Sequence, residues 1–278
     1  MILKINTSLG TVSIIESGNI KSSHAVIFIH GNSCSSATFQ KQMDSHLLVD
    51  HHLIAIDIPG HGLSEHATNP EMAYKMQSII DTLIEVIDKL GLNDFIICAH
   101  SFGGHVAIQS LPKLKNCRGL MIFCTPPIAS LASLASAFLP NPAYNTLFQQ
   151  HPSDQDIDIL VNEFTSDIEV QQLLKHTIIN TDPNFRKVLG VDVGIHFTSA
   201  AYIPETEILA NTQIPIMIVH GETEKMVNHE YISQLNIPTL FNHKIFIINN
   251  SCHFPQMENA EAFDKNLLQF ATHCFNPI

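Results

Sequence analysis

Basic residues are scarce in this sequence. Lysine and arginine together number 14, against 26 aspartates and glutamates, which gives a formal net charge of -12 at pH 7. Nucleic acids and anionic membrane surfaces attract basic clusters, and no basic run or basic helical face offsets this acidic balance. We therefore expect neither nucleic acid nor a membrane as a partner.

Long apolar runs and clustered cysteines are also missing. No apolar stretch approaches the ~20 residues that span a bilayer, and the N-terminus shows no charged-then-apolar leader. The six cysteines form no C-x-x-C pair, and Cys98 and Cys124 lie in apolar, strand-like runs, as small buried hydrophobic residues do. These features predict a protein of the reducing cytoplasm.

Histidine, in contrast, is abundant, with 17 residues. The neighbours His51 and His52 are the most metal-like pair, but no cysteine or carboxylate stands at ligand spacing from them. We expect no metal site and no cofactor.

Short apolar runs alternate with helical patterns over much of the chain, as expected of strands and helices. The predicted strands cover 2–7, 11–17, 25–30, 53–58, 95–100, 119–124, 214–220 and 244–248. Helical patterns cover 72–90, where Gly91 is placed as a stop, 105–114, 229–235 and 259–272. This alternation predicts an α/β fold with a mostly parallel eight-stranded sheet and helices on both faces.

The alternation stops after the sixth predicted strand. From about 128 to 211 the chain has helical patterns, the clearest at 156–165 and 168–179, and no strong strand. We predict one core domain, 1–126 and 212–278, interrupted by a helical cap at 127–211.

The segment Ala99-His100-Ser101-Phe102-Gly103-Gly104 joins a predicted strand to a predicted helix. A small-x-Ser-x-Gly pattern in that position is typical of a sharp turn that exposes a nucleophilic serine. Ala99 and Gly103 are small, as the close approach of strand and helix requires. Such a short match also occurs at ordinary strand ends, so other residues must support a role for Ser101.

Two later loops supply those residues. His253 follows the last predicted strand and is the natural general base for Ser101. Glu224 follows the preceding strand and is the carboxylate expected to orient His253, with Glu222 as its rival. The order Ser, acid, His, at the carboxyl ends of parallel strands, is the one that this fold requires. Asp57 is interpreted instead as a strand-end residue that braces the turn at 59–62.

An acyl-transfer site also needs donors for the developing oxyanion. The backbone N–H of Phe102, at the start of a helix, is one candidate. The N–H of Asn32, in the loop His30-Gly31-Asn32, is the other.

These residues resemble the α/β-hydrolase superfamily over nearly the whole chain. The carriers are His30-Gly31-Asn32, Asp57-x-Pro59-Gly60-His61-Gly62-x-Ser64, His100-Ser101-Phe102-Gly103-Gly104, Gly221-x-x-Glu224-x-x-Val227 and His253-Phe254-Pro255. The resemblance implies a hydrolase with a Ser-acid-His triad and a helical cap. Within the superfamily the chain looks most like bacterial N-acyl-homoserine lactonases, through His30-Gly31-Asn32-Ser33, Arg118-Gly119-Leu120-Met121-Ile122, Thr125-Pro126-Pro127 and a glutamate as the acid.

The resulting expectation is a serine hydrolase that cleaves a small carboxylic ester or lactone through an acyl-enzyme. Ring opening of an N-acyl-homoserine lactone, and thus quorum quenching, is the leading hypothesis. A general carboxylesterase and a small-molecule receptor on a hydrolase scaffold are the alternatives. Five cap phenylalanines are candidates for an acyl pocket or for cap core: Phe138, Phe148, Phe164, Phe185 and Phe197. Tyr144 and Tyr202 are candidate polar contacts.

Overall fold

A single eight-stranded sheet runs through the protein. The computed structural model describes residues 1–276. The strands are β1 (Ile2–Thr7), β2 (Gly10–Gly18), β3 (His24–Ile29), β4 (His52–Ile56), β5 (Asp94–His100), β6 (Cys117–Phe123), β7 (Ile216–Gly221) and β8 (Leu240–Ile248). Their order is β1-β2-β4-β3-β5-β6-β7-β8, antiparallel at β1–β2 and β2–β4 and parallel elsewhere. The predicted mostly parallel, eight-stranded sheet is confirmed.

Helices pack on both faces of this sheet. The α-helices are α1 (Gln40–Met43), α2 (Pro70–Ala73), α3 (Met76–Leu90), α4 (Phe102–Ser110), α5 (Leu134–Ala137), α6 (Asp154–Phe164), α7 (Ile168–Asn180), α8 (Pro183–Thr198), α9 (Glu205–Asn211), α10 (His229–Ser233), α11 (Pro255–Glu258) and α12 (Ala260–Phe275). Short 3-10 helices cover Ser36–Phe39, Leu111–Lys113, Leu131–Ser133 and Pro142–Phe148. Along β3, Ile27 and Ile29 join one apolar cluster while Val26 and Phe28 join another. Successive strand residues point to opposite faces, so the sheet is buried on both sides.

One predicted helix, 72–90, is wrong as a single element, because the structure divides it into α2 and α3. Tyr74 lies at the break, is fully buried and donates its hydroxyl to Asp182 Oδ2 at 2.7 Å. The Met76 N–H, at the start of α3, donates to Asp192 Oδ2 at 2.7 Å. Both carboxylates come from residues more than 100 positions later, so the local pattern could not predict the interruption.

Helices α5 to α9 lie between β6 and β7 and form the helical cap that the fold prediction placed after the sixth strand. The predicted helices at 156–165 and 168–179 correspond to α6 and α7, whereas α8 and α9 were not predicted. The domain limits 127 and 211 stay a prediction; α9 ends at Asn211. Within residues 1–276 no helix combines the length and the apolar character needed to cross a membrane.

Candidate active site

Ser101 lies at a strained turn between β5 and α4. Its backbone angles are φ 48° and ψ -118°, a region that residues other than glycine rarely occupy and that often marks functional sites. The turn is fixed by the Ser101 N–H, which donates to Phe123 O at 3.0 Å, and by the Thr125 hydroxyl, which donates to Ser101 O at 3.0 Å. A Cβ atom on Gly103 would overlap the carbonyl oxygen of His30. A small residue is therefore required at position 103, as the sequence predicts.

His253 and Glu224 form a buried pair at the same edge of the sheet. The imidazole Nδ1 lies 3.0 Å from Oε1 and 2.8 Å from Oε2 of the carboxylate, and the two side chains are 5% and 1% exposed. Because a carboxylate only accepts, Nδ1 carries the proton and Nε2 is the basic nitrogen.

Glu224 is held as a carboxylate by its surroundings. Burial alone raises the pKa of this group, but the charge of His253 and the hydrogen bond from it outweigh burial and lower the pKa to about 2. The backbone N–H of Met226 also donates to Oε1 at 2.7 Å. The rival Glu222 is exposed, and its Oε2 accepts from the Asn250 N–H at 2.9 Å. The geometry therefore favours Glu224 over Glu222 as the partner of His253.

Ser101 and His253 line a common cavity of about 600 Å³, a size typical of small-molecule sites. In the described residues no hydrogen bond joins the Ser101 hydroxyl to the imidazole, and such bonds are often long in enzymes without substrate. The ring of Phe164, at the end of α6, stacks on His253 with centroids 4.8 Å apart. The backbone N–H of His253 also donates to the backbone oxygen of Phe164 at 3.0 Å. The cap therefore holds the imidazole in place.

The two predicted oxyanion donors, the N–H groups of Asn32 and Phe102, belong to residues that line this cavity. Within residues 1–276 neither N–H donates to a protein acceptor. Phe102 is the first residue of α4, so its N–H lies at the positive end of the helix dipole. Both N–H groups are thus free to receive a ligand oxygen.

Buried side chains shape the loop that carries Asn32. His61 Nε2 accepts from the Ser33 N–H at 3.2 Å, and Asp57 Oδ1 accepts from the Ser36 N–H at 2.7 Å. Asp57 Oδ2 also accepts from the Leu63 N–H at 2.8 Å. This bond stabilises the turn at 59–62, the role that the sequence predicts for Asp57. Burial lowers the pKa of His61 well below its ordinary value, so His61 is neutral and its Nε2 can accept.

Some aromatic candidates of the cap line the cavity, and others do not. Four of them line the cavity: Phe138, Phe148, Phe164 and Phe197. Phe185 is fully buried and packs against His61, with ring centroids 4.2 Å apart. Tyr144 lines the cavity but donates its hydroxyl to the Met226 carbonyl, and Tyr202 donates to Ile128 O at 2.8 Å.

One three-residue group in the described part of the chain has metal-ligand character. Donor atoms of Cys124, Glu224 and His253 lie within 4.8 Å of one another. Burial and the neighbouring Glu224 carboxylate raise the pKa of the Cys124 thiol well above its ordinary value, which opposes the thiolate that a metal requires. His52 Nε2 lies 2.8 Å from Oε1 of Glu16, which belongs to the neighbouring strand β2. Glu16 is distant from His52 in the sequence, so residue spacing could not predict this pair.

Sequence reasoning missed three side chains near the cavity: His105, His196 and Glu205. His105 and His196 line the cavity, and Glu205 binds His105. The one signal in the sequence was that His105 stands in the first turn of the predicted helix that follows Ser101.

Comparison with known proteins agrees with this architecture. A family model described as alpha/beta hydrolase fold matches residues 24–260. Among curated relatives, the non-heme chloroperoxidase CPO-A1 of Kitasatospora aureofaciens is 22% identical over 88% of this chain and 91% of its own length. The bifunctional esterase/perhydrolase DCH of Acinetobacter calcoaceticus is 21% identical over 88% and 90%.

Solved structures of the N-acyl homoserine lactonase AidH are similar over the full chain. The complex with N-butanoyl homoserine has a TM-score of 0.90 and 28% identity, covering 100% of this chain and 98% of that one. A mutant complexed with N-hexanoyl homoserine lactone has a TM-score of 0.88 and 28% identity, covering 99% and 98%. The similarity therefore includes the cap as well as the sheet.

Proposed function

The chain belongs to the alpha/beta hydrolase fold family, and we propose that it is a serine hydrolase that opens the ring of N-acyl-homoserine lactones. The observation that carries the hydrolase part is the buried Glu224–His253 pair at one cavity with Ser101. The lactone part is supported by the similarity to the AidH structures. The mostly apolar lining of the cavity suits an acyl chain.

The reaction follows from these positions. Ser101 Oγ attacks the lactone carbonyl carbon while His253 Nε2 takes the hydroxyl proton. The resulting oxyanion accepts from the N–H groups of Asn32 and Phe102. When the ring C–O bond breaks, His253 returns the proton to the alkoxide, which stays attached to the acyl part. A water activated by His253 then cleaves the acyl-enzyme and releases the open-chain hydroxy acid.

The first test is Ser101→Ala, which we expect to reduce kcat/KM at least about a thousandfold, because the nucleophile is removed. Ser233→Ala, an exposed serine on α10, is the matched control and should retain native activity. Proton release in a pH-stat measures both. Undiminished turnover by Ser101→Ala would refute the serine mechanism.

The second part of the test separates substrates. Acyl-homoserine lactones and p-nitrophenyl esters of equal acyl length are compared by kcat/KM on the native protein. We expect the lactones to be preferred. A consistent preference for the esters would replace the lactonase proposal by a general carboxylesterase, while leaving the serine hydrolase intact.

A further inference from the structure

Helix α8 of the cap contacts both segments that carry the expected oxyanion donors. Phe185 is fully buried, and its ring lies nearly perpendicular to the ring of Phe102, with centroids 5.8 Å apart. The next residue, Arg186, donates from Nη1 to Ser33 Oγ at 3.3 Å. Ser33 directly follows Asn32 in the loop 30–33, which we call the oxyanion loop. Two adjacent residues of one cap helix therefore lie against the two parts of the expected oxyanion hole.

The Ser33 hydroxyl connects Arg186 to Asn32. It donates to Asn32 Oδ1 at 2.7 Å and, since a hydroxyl has a single proton, it accepts the bond from Arg186. The Asn32 Nδ2 donates to Leu147 O at 3.2 Å, in the 3-10 helix of the cap. Both ends of the Asn32 amide are thus bonded within the protein, while its backbone N–H makes no bond in residues 1–276.

The backbone of Ser33 is strained and is held in place by its partners. Its φ is 56° and it is 1% exposed, and the left-handed region is costly for a residue with a Cβ atom. The Ser33 N–H donates to His61 Nε2 at 3.2 Å. Burial lowers the pKa of His61, and the charges of His30 and Arg186 act in the same direction, so His61 stays neutral and can accept. Arg186 therefore supports Ser33 both through its hydroxyl and through His61.

Arg186 is a buried cation whose hydrogen bonds all end on uncharged oxygens. It is 4% exposed, and burying a charge without an opposite charge in contact is costly. Besides Ser33 Oγ, its acceptors in residues 1–276 are Gln149 O at 2.8 Å, Ile178 O at 3.0 Å and Gln150 O at 3.3 Å. These three carbonyls belong to the cap, whereas Ser33 belongs to the core. The guanidinium thus joins the cap to the oxyanion loop.

We propose that Arg186 is a positioning residue for the oxyanion hole, acting through the Ser33 hydroxyl on Asn32. This inference rests on the proposed serine hydrolysis and adds a cap residue to its machinery. The oxyanion forms only when the carbonyl carbon becomes tetrahedral, so a displaced Asn32 N–H weakens binding of the transition state more than binding of the substrate. Loss of the contact should therefore lower kcat and leave KM nearly unchanged.

The first test removes the hydroxyl in two ways, as Ser33→Ala and Ser33→Gly. We expect kcat for one acyl-homoserine lactone to fall about 10- to 100-fold in both, because a misplaced donor costs less than the 10²- to 10³-fold loss of a deleted one. KM should stay within about threefold of native. Glycine adopts the left-handed conformation without strain, so Ser33→Gly should have a Tm about 2–4 °C above that of Ser33→Ala. If kcat followed Tm and was near native in Ser33→Gly, the serine would only stabilise the loop and the positioning role would be wrong.

The second test concerns Arg186 itself. Arg186→Lys keeps the charge but lacks the planar fork, and we expect kcat to fall about tenfold with KM nearly unchanged. The double variant with Ser33→Ala should be no slower than the slower single variant, because both changes break one contact. Effects that multiply would overturn the proposed route through Ser33. Lys187→Met changes the exposed neighbour on α8 and should keep the native kcat; if Arg186→Lys does not fold, Arg186→Gln, with a planar amide donor, takes its place.

A trifluoromethyl ketone with the same acyl chain supplies a further readout. Ser101 Oγ adds to its carbonyl carbon, the hydroxyl proton passes to His253, and the resulting oxyanion mimics that of the reaction. Its Ki should rise in each variant by about the factor by which kcat/KM falls. An unchanged Ki in Ser33→Ala, together with native hydrolysis that is lost in Ser101→Ala, would overturn the positioning role alone. Persistent hydrolysis in Ser101→Ala would instead remove the proposed function itself.

Discussion

Two histidine–glutamate pairs adjoin one cavity, and their internal geometry is nearly the same. Nδ1 of His253 lies 3.0 Å and 2.8 Å from the oxygens of Glu224, and Nδ1 of His105 lies 3.1 Å and 2.9 Å from those of Glu205. In both pairs the glutamate side chain is almost completely buried. A buried carboxylate that orients an imidazole is therefore not by itself a sign of a catalytic base.

The surroundings of the two glutamates separate the pairs. Glu224 receives its other hydrogen bonds from the N–H groups of Met226 and Val227, two and three residues away in its own loop. Glu205 instead binds the N–H of Ile128, 77 residues earlier, and its own N–H donates back to Ile128 O. The first pair is a local unit at the carboxyl edge of the sheet, where the expected nucleophile lies. The second pair links the ends of the cap, so we expect its loss to affect stability first.

The largest effect expected from this comparison is that of Glu224→Gln. The amide cannot fix the tautomer or stabilise an imidazolium, and loss of the equivalent carboxylate in serine proteases costs about 10⁴ in kcat. We expect kcat to fall about 10³- to 10⁴-fold and Tm to fall as well, because the lowered pKa of the native carboxylate means that its charge stabilises the fold at neutral pH. Glu222→Gln, in the same loop but exposed, is the control and should stay within about twofold of native. A less than tenfold loss for Glu224→Gln would contradict its assigned role.

Glu205→Gln should affect thermal stability more than it affects kcat. It weakens the bonds to His105 and Ile128 inside a fully buried site, at a cost of about 2 kcal/mol, which corresponds to a Tm lower by about 4–8 °C. Its effect on kcat should be smaller than that of Glu224→Gln. Thermal unfolding followed by circular dichroism measures the shift, with exposed Glu207→Gln on α9 as the control. If Glu205→Gln kept the native Tm but lost most of its kcat, the structural role assigned to the His105–Glu205 pair would be wrong.

The two pairs also differ in how far the sequence could predict them. Glu224 and His253 follow apolar strands that are recognisable one by one, and parallel strands bring their carboxyl ends to one edge. The strands carry this information locally, which is why the sheet was predicted well. His105, Glu205 and His196 come together only through the packing of α8 and α9 on α4. Helix α8 contains Gly190 and Gly194, which are poor helix formers, so its helical pattern was not recognised.

The break between α2 and α3 has a similar cause. It depends on Asp182 and Asp192, cap residues that bind Tyr74 and the Met76 N–H. The local sequence pattern of 72–90 cannot predict contacts with residues so far away in the chain. In this chain, tertiary contacts made by the cap account for most of what the sequence did not predict, including the polar side of the cavity.

A third contrast concerns histidines that have no carboxylate partner. His30, His61 and His100 are fully buried, and burial lowers the pKa of each below 6.5. As the pH falls below about 6.5, the unfolded chain binds protons at these positions while the folded chain does not, so stability must decrease. Each such residue contributes at most about 1.4 kcal/mol per pH unit. Glu224, with a pKa of about 2, adds a loss only below about pH 4.5.

We therefore expect Tm to be several degrees lower at pH 5.5 than at pH 7.5, measured by thermal unfolding in buffers of equal ionic strength. His61→Gln should make this dependence shallower, because its amide does not titrate, even if it lowers Tm at every pH by weakening the bond to the Ser33 N–H. His176→Gln removes an exposed histidine and should leave the dependence unchanged. A Tm that is constant from pH 7.5 to 5.5 would mean that the buried histidines accept protons in the folded state, and the loop that presents Asn32 would then not depend on a neutral His61.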